Sequence, residues 1–189
     1  MCRKINNKLE KIKFNGPKPH DGRTMKDVAK IILLVFAFLF FSISVHSGQK
    51  ADSVLVVKSE AKLYLFHNGL TFASFPVAFG SNPRGHKKEQ GDGRTPEGQY
   101  VLDYKNTNSA YYKSIHISYP NAEDWADARG RGVDSGGDIM IHGQKNGYGR
   151  YSFVTQFFNW TNGCIALSDK DMDDVWKDID PGTPIEIRP

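Results

Sequence analysis

Hydropathy divides the chain in two. An uninterrupted apolar run from Ile31 to Phe41 fades through Ser42-Ile43-Ser44-Val45. At about 15 residues it is short for a membrane span, which needs roughly 20. Val45 and Ser47 stand three and one residues before Gly48, the small-residue pattern of a signal-peptidase site. The pattern predicts a leader over residues 1–47, removed as a signal peptide. An uncleaved N-terminal membrane anchor is the alternative, given the long basic flank. The first 24 residues are polar and carry Pro17 and Pro19, whereas Met25-Lys26-Asp27-Val28-Ala29-Lys30 reads as an ordinary leader start. Translation is therefore expected to begin at Met25.

From Gly48 onward the pattern turns to short strands. Ser53 to Lys58 is valine-rich, Lys62 to Phe66 alternates, and Asn68-Gly69 marks a tight type I′ hairpin with Leu70 to Phe79 returning. Gly80 to Arg94 is a polar loop. Thr95-Pro96-Glu97-Gly98 is a turn, with strands at Gln99 to Tyr104 and Ser114 to Ser118 after it. Asn121, with Asp124 three residues on, predicts a capped helix over Ala122 to Ala128. A glycine-rich connection, Gly130 to Gly137, leads to a strand at Asp138 to His142. Ser168 and Asp171 predict a second cap, and Met172, Val175, Trp176 and Ile179 then recur at helical spacing. Pro181-Gly182 ends that helix before a last strand, Thr183 to Ile187. The expected fold is mainly β, a compact β-sandwich-like domain over 48–189 with one or two short helices.

Charge changes the picture only once it is divided along the chain. The formal net charge is +4, but residues 1–47 hold 9 of the 25 Lys and Arg and 3 of the 21 Asp and Glu. That leaves 16 basic and 18 acidic residues in the expected domain, a net of −2. The basic balance belongs to the leader, so nucleic acid is not expected as a partner. The loop charges Arg84, His86, Lys87, Lys88 and Arg94 read mostly as solvated. Their sharper reading is a substrate-facing rim for acidic groups.

Cysteine usage supplies the candidate chemistry. With Cys2 in the leader, Cys164 is the lone thiol of an exported domain and can form no internal disulfide. A buried, inert cysteine is the bland alternative. Cys164 follows Thr161-Asn162-Gly163 and runs into Ile165-Ala166-Leu167, while Ile139-Met140-Ile141 runs into His142-Gly143. Both reactive residues sit at strand edges beside glycine, the parts of a nucleophile–base pair, and the segment from Gly143 to Gly163 has to fold back over them. His142 is the preferred base and His116 the second, whereas His67 and His86 read as solvated turn residues. N–H groups around Gly163 and Cys164 are the expected oxyanion donors, with Gly163 keeping the approach uncrowded. Either a carboxylate or a backbone carbonyl could orient the imidazole. No histidine or cysteine spacing supports a metal site, and no cofactor is implied.

These residues resemble the L,D-transpeptidase catalytic domain, the YkuD-like family, over nearly the whole exported part. The resemblance rests on Gly91-Asp92-Gly93-Arg94-Thr95-Pro96-Glu97-Gly98, Ile115-His116-Ile117-Ser118-Tyr119-Pro120, Ile139-Met140-Ile141-His142-Gly143 and Trp160-Thr161-Asn162-Gly163-Cys164-Ile165, in that order. It implies Cys164 as nucleophile, His142 as general base, and Thr161, Asn162 and Gly163 as the signature turn. His116, Gly143, Arg94 and Tyr119 are the further positions expected to meet substrate. The implied substrate is the peptidoglycan stem peptide, attacked at its third residue with loss of the terminal D-alanine, in the periplasm or cell wall. Two positions depart from the common pattern: Asn162 stands where many members carry histidine, and Ala166 where many carry arginine. Without that cation the acceptor is left open among another stem, a lipoprotein lysine, an amino acid and water. A water acceptor would make the enzyme a carboxypeptidase or cross-link hydrolase. A wall-binding module with an inert Cys164 is the reading from another class, favoured by a thiol pKa near or above 8.5.

Overall fold

In the computed structural model the described residues are 48–189, and the leader expected over 1–47 lies outside them. The valine run forms β1 (Ser53–Val57), and a single helical turn at Lys58–Glu60 leads into β2 (Lys62–His67). Asn68 and Gly69 both take positive φ, 52° and 75°, so the chain reverses there into β3 (Leu70–Pro76) as the dipeptide predicts. The next hairpin pairs β4 (Gly98–Ser109) with β5 (Tyr112–Ile117). After helix α1 (Ala122–Arg131) come β6 (Met140–His142), the short helix α2 (Ser152–Thr155), β7 (Ile165–Ala166), α3 (Asp169–Asp178) and β8 (Thr183–Arg188).

The eight strands make one sheet in the order β3-β2-β1-β8-β4-β5-β6-β7. Pairing is antiparallel except for β1 with β8 and β6 with β7. The sandwich-like character comes from this single sheet curling until its two edges meet. Ala78, just beyond β3, bridges Ala166 in β7, through Ala78 N to Ala166 O at 2.9 Å and Ala166 N to Ala78 O at 2.8 Å. The bridge ties β7 to the segment that follows β3.

Alternating residues of β1, β2, β4 and β8 point inward, so Val54, Val56, Leu63, Leu65, Leu102, Ile185 and Ile187 are buried together with Ile115, Ile141 and Ile165. α3 covers this core with Met172 and Val175, and Ile179 just past its end joins them, while Trp176 packs at its margin under the Lys105 ammonium, 5.0 Å from the ring centroid. Every buried apolar residue among those described falls between Ala51 and Ile187, so this unit holds a core of its own.

Both helix starts follow the sequence. Asn121 accepts from the Glu123 and Asp124 N–H groups, and Asp124 returns a bond to the Asn121 N–H, a complete capping box. Ser168 accepts from Asp171 N at 3.1 Å, without the return bond to the Ser168 backbone. α1 runs three residues past its expected end, because Gly132 at φ 70° closes it with N–H bonds to Ala128 and Arg129.

Candidate active site

Strand register brings the two reactive residues together. In the parallel pair β6–β7, Ile141 lies opposite Ile165 and His142 opposite Ala166, which sets Cys164 beside Met140. Met140 and His142 are two apart on one strand and face the same way, so Cys164 and His142 share a face. Both line one cleft of about 370 Å³. Its floor is Met140, His142 and Ser114; one wall is the Trp160–Cys164 turn, and the other is the β4–β5 tip from Asn106 to Tyr111.

The Cys164 thiol is half-buried and held by the β6 backbone. Met140 N–H donates to Sγ at 3.4 Å, and the thiol in turn donates to Asp138 O at 3.7 Å. Burial pushes this thiol up, against a smaller pull downward from the Met140 N–H, so it rests protonated. His142 is buried, and its Nδ1 lies 2.6 Å from Gly143 O. A carbonyl only accepts, so Nδ1 carries the proton and Nε2 is left as the basic nitrogen. Burial lowers the imidazole pKa, the Gly143 bond opposing it only in part, which keeps the ring neutral near pH 7. Of the two ways to orient the ring that the sequence left open, the backbone carbonyl is the one present.

Two aromatic rings bracket the imidazole. Tyr111 lies 4.7 Å and Trp160 5.7 Å from its centroid, and they are 6.0 Å from each other. Sequence reasoning did not single out Tyr111, and it held Trp160 only as part of the motif before Cys164. Tyr111 could have been found only by recognising that β4 extends beyond Tyr104. Its polar tip, with Asn106, Asn108 and Ser109, reads as loop yet forms the cleft wall.

The signature turn is built around its threonine. Thr161 Oγ1 donates to Cys164 O at 2.7 Å and accepts from Gly163 N at 3.2 Å, while the Thr161 backbone bridges Phe79 and Ser81. Asn162 is exposed at the cleft lip. Gly163 takes φ 124°, and an added Cβ would lie 2.5 Å from Arg94 O. Glycine is thus required here by close packing against the Gly-Asp-Gly-Arg loop. A Cβ at Gly143 would meet Tyr112 Cβ at 2.9 Å and Asp169 Oδ1 at 2.7 Å, so that glycine too serves packing.

All four further positions expected to meet substrate, Gly143 among them, lie outside the cleft lining. His116 bonds Asp103 at 2.7 Å and stacks on Tyr104 at 4.6 Å. Tyr119 is buried, its hydroxyl donating to Ser135 O at 3.0 Å. Arg94 directs a guanidinium N–H to His86 O at 3.4 Å and gives the site its backbone carbonyl.

The loop of expected solvated charges is also more structural than its composition suggests. Lys87 is buried on Asp92 at 2.9 Å, and Asp92 further accepts from the Lys88, Glu89 and Arg94 N–H groups. His86 links the Glu97 N–H to Asp124, at 3.0 and 2.9 Å. His67 is likewise engaged, with Lys50 O at 2.8 Å.

A neutral base and a protonated thiol on one face of two strands, open to a peptide-sized cleft, define a site suited to acyl transfer. Residues 51–187 match the model of the YkuD L,D-transpeptidase catalytic domain, and the chain belongs to that family. Over 100 residues, half of the chain, it is 36% identical to the protein named L,D-transpeptidase YafK of Escherichia coli strain K12, an assignment that is itself provisional. That alignment spans 39% of YafK, so the chain matches well under half of this relative's length. Among solved structures, the helical cell shape determining protein Pgp2 from Campylobacter jejuni superposes with a TM-score of 0.54 at 24% identity, covering 71% of this chain and 46% of that one. Bdellovibrio bacteriovorus Bd1075 gives 0.52 at 21% identity, covering 76% and 49%. At these identities the two structures speak for the fold alone.

Proposed function

We propose that the protein is an exported cysteine L,D-transpeptidase acting on peptidoglycan stem peptides in the periplasm or cell wall. The observation that carries the reading is the shared face of Cys164 and His142 in one cleft, with Gly143 O committing Nδ1 and leaving Nε2 basic. Substrate class, export and residue roles come with the family assignment and the leader pattern.

In this reading the stem peptide enters between the β4–β5 tip and the signature turn. Cys164 Sγ attacks the carbonyl carbon of the third residue as its proton passes to His142 Nε2. The oxyanion is met by the Cys164 N–H, because the Gly163 N–H is already spent on Thr161 Oγ1. Collapse breaks the peptide bond, and the imidazolium gives its proton to the departing D-alanine amine. An acceptor amine then attacks the thioester, loses its proton to Nε2, and the thiol is restored. Because the thiol rests protonated, deprotonation accompanies attack rather than preceding it.

The candidate acceptors are a second stem, a lipoprotein lysine, an amino acid and water. Ala166, where many members of the family carry arginine, is fully buried in the seam between β6 and Ala78. A second reading, a wall-binding domain with an inert cysteine, is favoured by the raised thiol and by its bonds to Met140 and Asp138 instead of to the imidazole.

Intact-mass analysis after exposure to a carbapenem separates the two. An adduct on Cys164 supports the enzyme, whereas an unmodified protein supports the binding domain. Incubation with stem tetrapeptides then identifies the acceptor class, dimers meaning transfer and tripeptides alone meaning hydrolysis.

A further inference from the structure

The segment joining the two site strands is built with its apolar side outward. On its inner side Thr155 Oγ1 donates to Gln144 Oε1 at 2.6 Å, and the buried Gln144 donates on to Leu167 O at 2.6 Å. Asn159 Oδ1 accepts from Phe79 N at 2.9 Å, and the Gln156 carboxamide is buried as well. The outer side carries Phe157, 83% exposed, with Phe153, Phe158 and Val154 also exposed beside it. A loop in water ordinarily sorts the other way, and clustered exposed phenylalanines mark a surface that meets an apolar phase. The turn is pinned by Gln156 N to Ser152 O and Phe157 N to Val154 O, both at 3.1 Å, so these rings are displayed from an anchored scaffold.

Charge selects the occupant. From Gly143 to Ser168 there are two cations, Lys145 and Arg150, and no Asp or Glu, whereas the chain from Gly48 onward carries a net −2. Both cations lie over tyrosines at the rim, Arg150 4.7 Å from the Tyr151 centroid and Lys145 6.0 Å from that of Tyr148. Phenylalanines at the tip, with tyrosines and basic groups at their margin, match the layering of a bilayer interface: acyl boundary first, then anionic headgroups.

We propose that this loop is a membrane-surface contact, seating Phe153, Phe157 and Phe158 in an anionic lipid interface beside the mouth of the active-site cleft. This holds whether or not Cys164 is reactive.

The test uses residues 48–189, which hold their own core, so that the apolar run of the leader cannot mask the result. Co-sedimentation is measured with vesicles of phosphatidylethanolamine and phosphatidylglycerol, and with phosphatidylcholine alone. The expected result is binding to the anionic vesicles that falls with added salt. It should drop about tenfold or more in the triple variant Phe153→Ser, Phe157→Ser, Phe158→Ser, and also in Lys145→Glu, Arg150→Glu. Circular dichroism of both variants should match the unsubstituted domain, since all five side chains lie on the surface. A domain that stays in the supernatant with every lipid overturns the proposal, as does undiminished binding by the triple variant. A dimer in light scattering that the triple variant disperses also overturns it, because the patch would then be occupied by a second copy.

Discussion

His142 is suited to the proposed role of base by what its ring meets. Gly143 O takes the Nδ1 proton at 2.6 Å, and burial disfavours the imidazolium, so Nε2 is unprotonated at neutral pH. A base lowered in this way stays competent as pH falls past about 6.5, the value for an unperturbed imidazole. Acylation of Cys164 should therefore hold its rate through pH 6.5 and decline only below it, as read by mass-spectrometric time courses. His142→Ala should slow acylation by roughly 10²–10⁴ without unfolding the domain. The residual reaction should keep rising with pH beyond about 8.5, the value for a free thiol, since it depends on a thiolate whose pKa burial has raised. Wild-type rates in His142→Ala would remove the imidazole from the reaction. Gly163 tests a different quantity. Its φ of 124° and the nearby Arg94 carbonyl make Gly163→Val a stability lesion of about 2 kcal/mol or more, visible as a lower Tm before any assay of activity.

At the scale of elements, what was local could be read and what was assembled could not. The valine run, the Asn68-Gly69 reversal, the Asn121 cap and the apolar face of α3 each state their structure within a few residues, and each is present. The placement of His142 and Cys164 at strand ends was equally legible, since glycine beside such a side chain at a strand edge is a local pattern. The β4 extension was not, because Lys105 to Ser109 is polar and its pairing shifts register twice against β5. Nor was the loop before Thr95, where Lys87 reads as a solvated charge and Asp92 only as part of the motif over residues 91–98. There Asp92 gathers Lys87 and three backbone N–H groups. Burial pushes the Asp92 carboxyl up, but the Lys88 and Arg94 N–H groups with Lys87 and Glu89 outweigh it and hold the pKa low. A carboxylate lowered in the fold stabilises above its unfolded value of about 3.9, and that contribution disappears as pH falls through the lowered one. Asp92→Asn should thus cost stability at pH 7 and lose its difference from wild type in strong acid, as compared by melting at both pH values. An equal deficit at the two extremes would assign the effect to geometry instead of charge.

For the whole molecule, the controlling feature is the closure of the sheet on itself. The seam at Ala78 and Ala166 joins the first strands of the domain to the strand that follows the nucleophile candidate. The Gly80 and Thr161 bridge lies beside it, and Ser81 N to Thr161 O at 2.9 Å extends it. The signature turn is thereby fixed by residues some eighty positions away in sequence, and the cleft cannot be separated energetically from the fold. Closure also decides what the position two residues after the cysteine can hold. Ala166 is 0% exposed, so restoring the arginine common elsewhere in the family would force a buried, unpaired guanidinium and extra volume into the seam. Ala166→Arg should destabilise by about 3 kcal/mol or more, measured by urea unfolding, with no gain in selectivity for a carboxylate-bearing acceptor. A variant that folds normally and shifts the product distribution would mean that the seam can open. The acceptor would then be set by a cation this chain lacks rather than by the shape of its cleft.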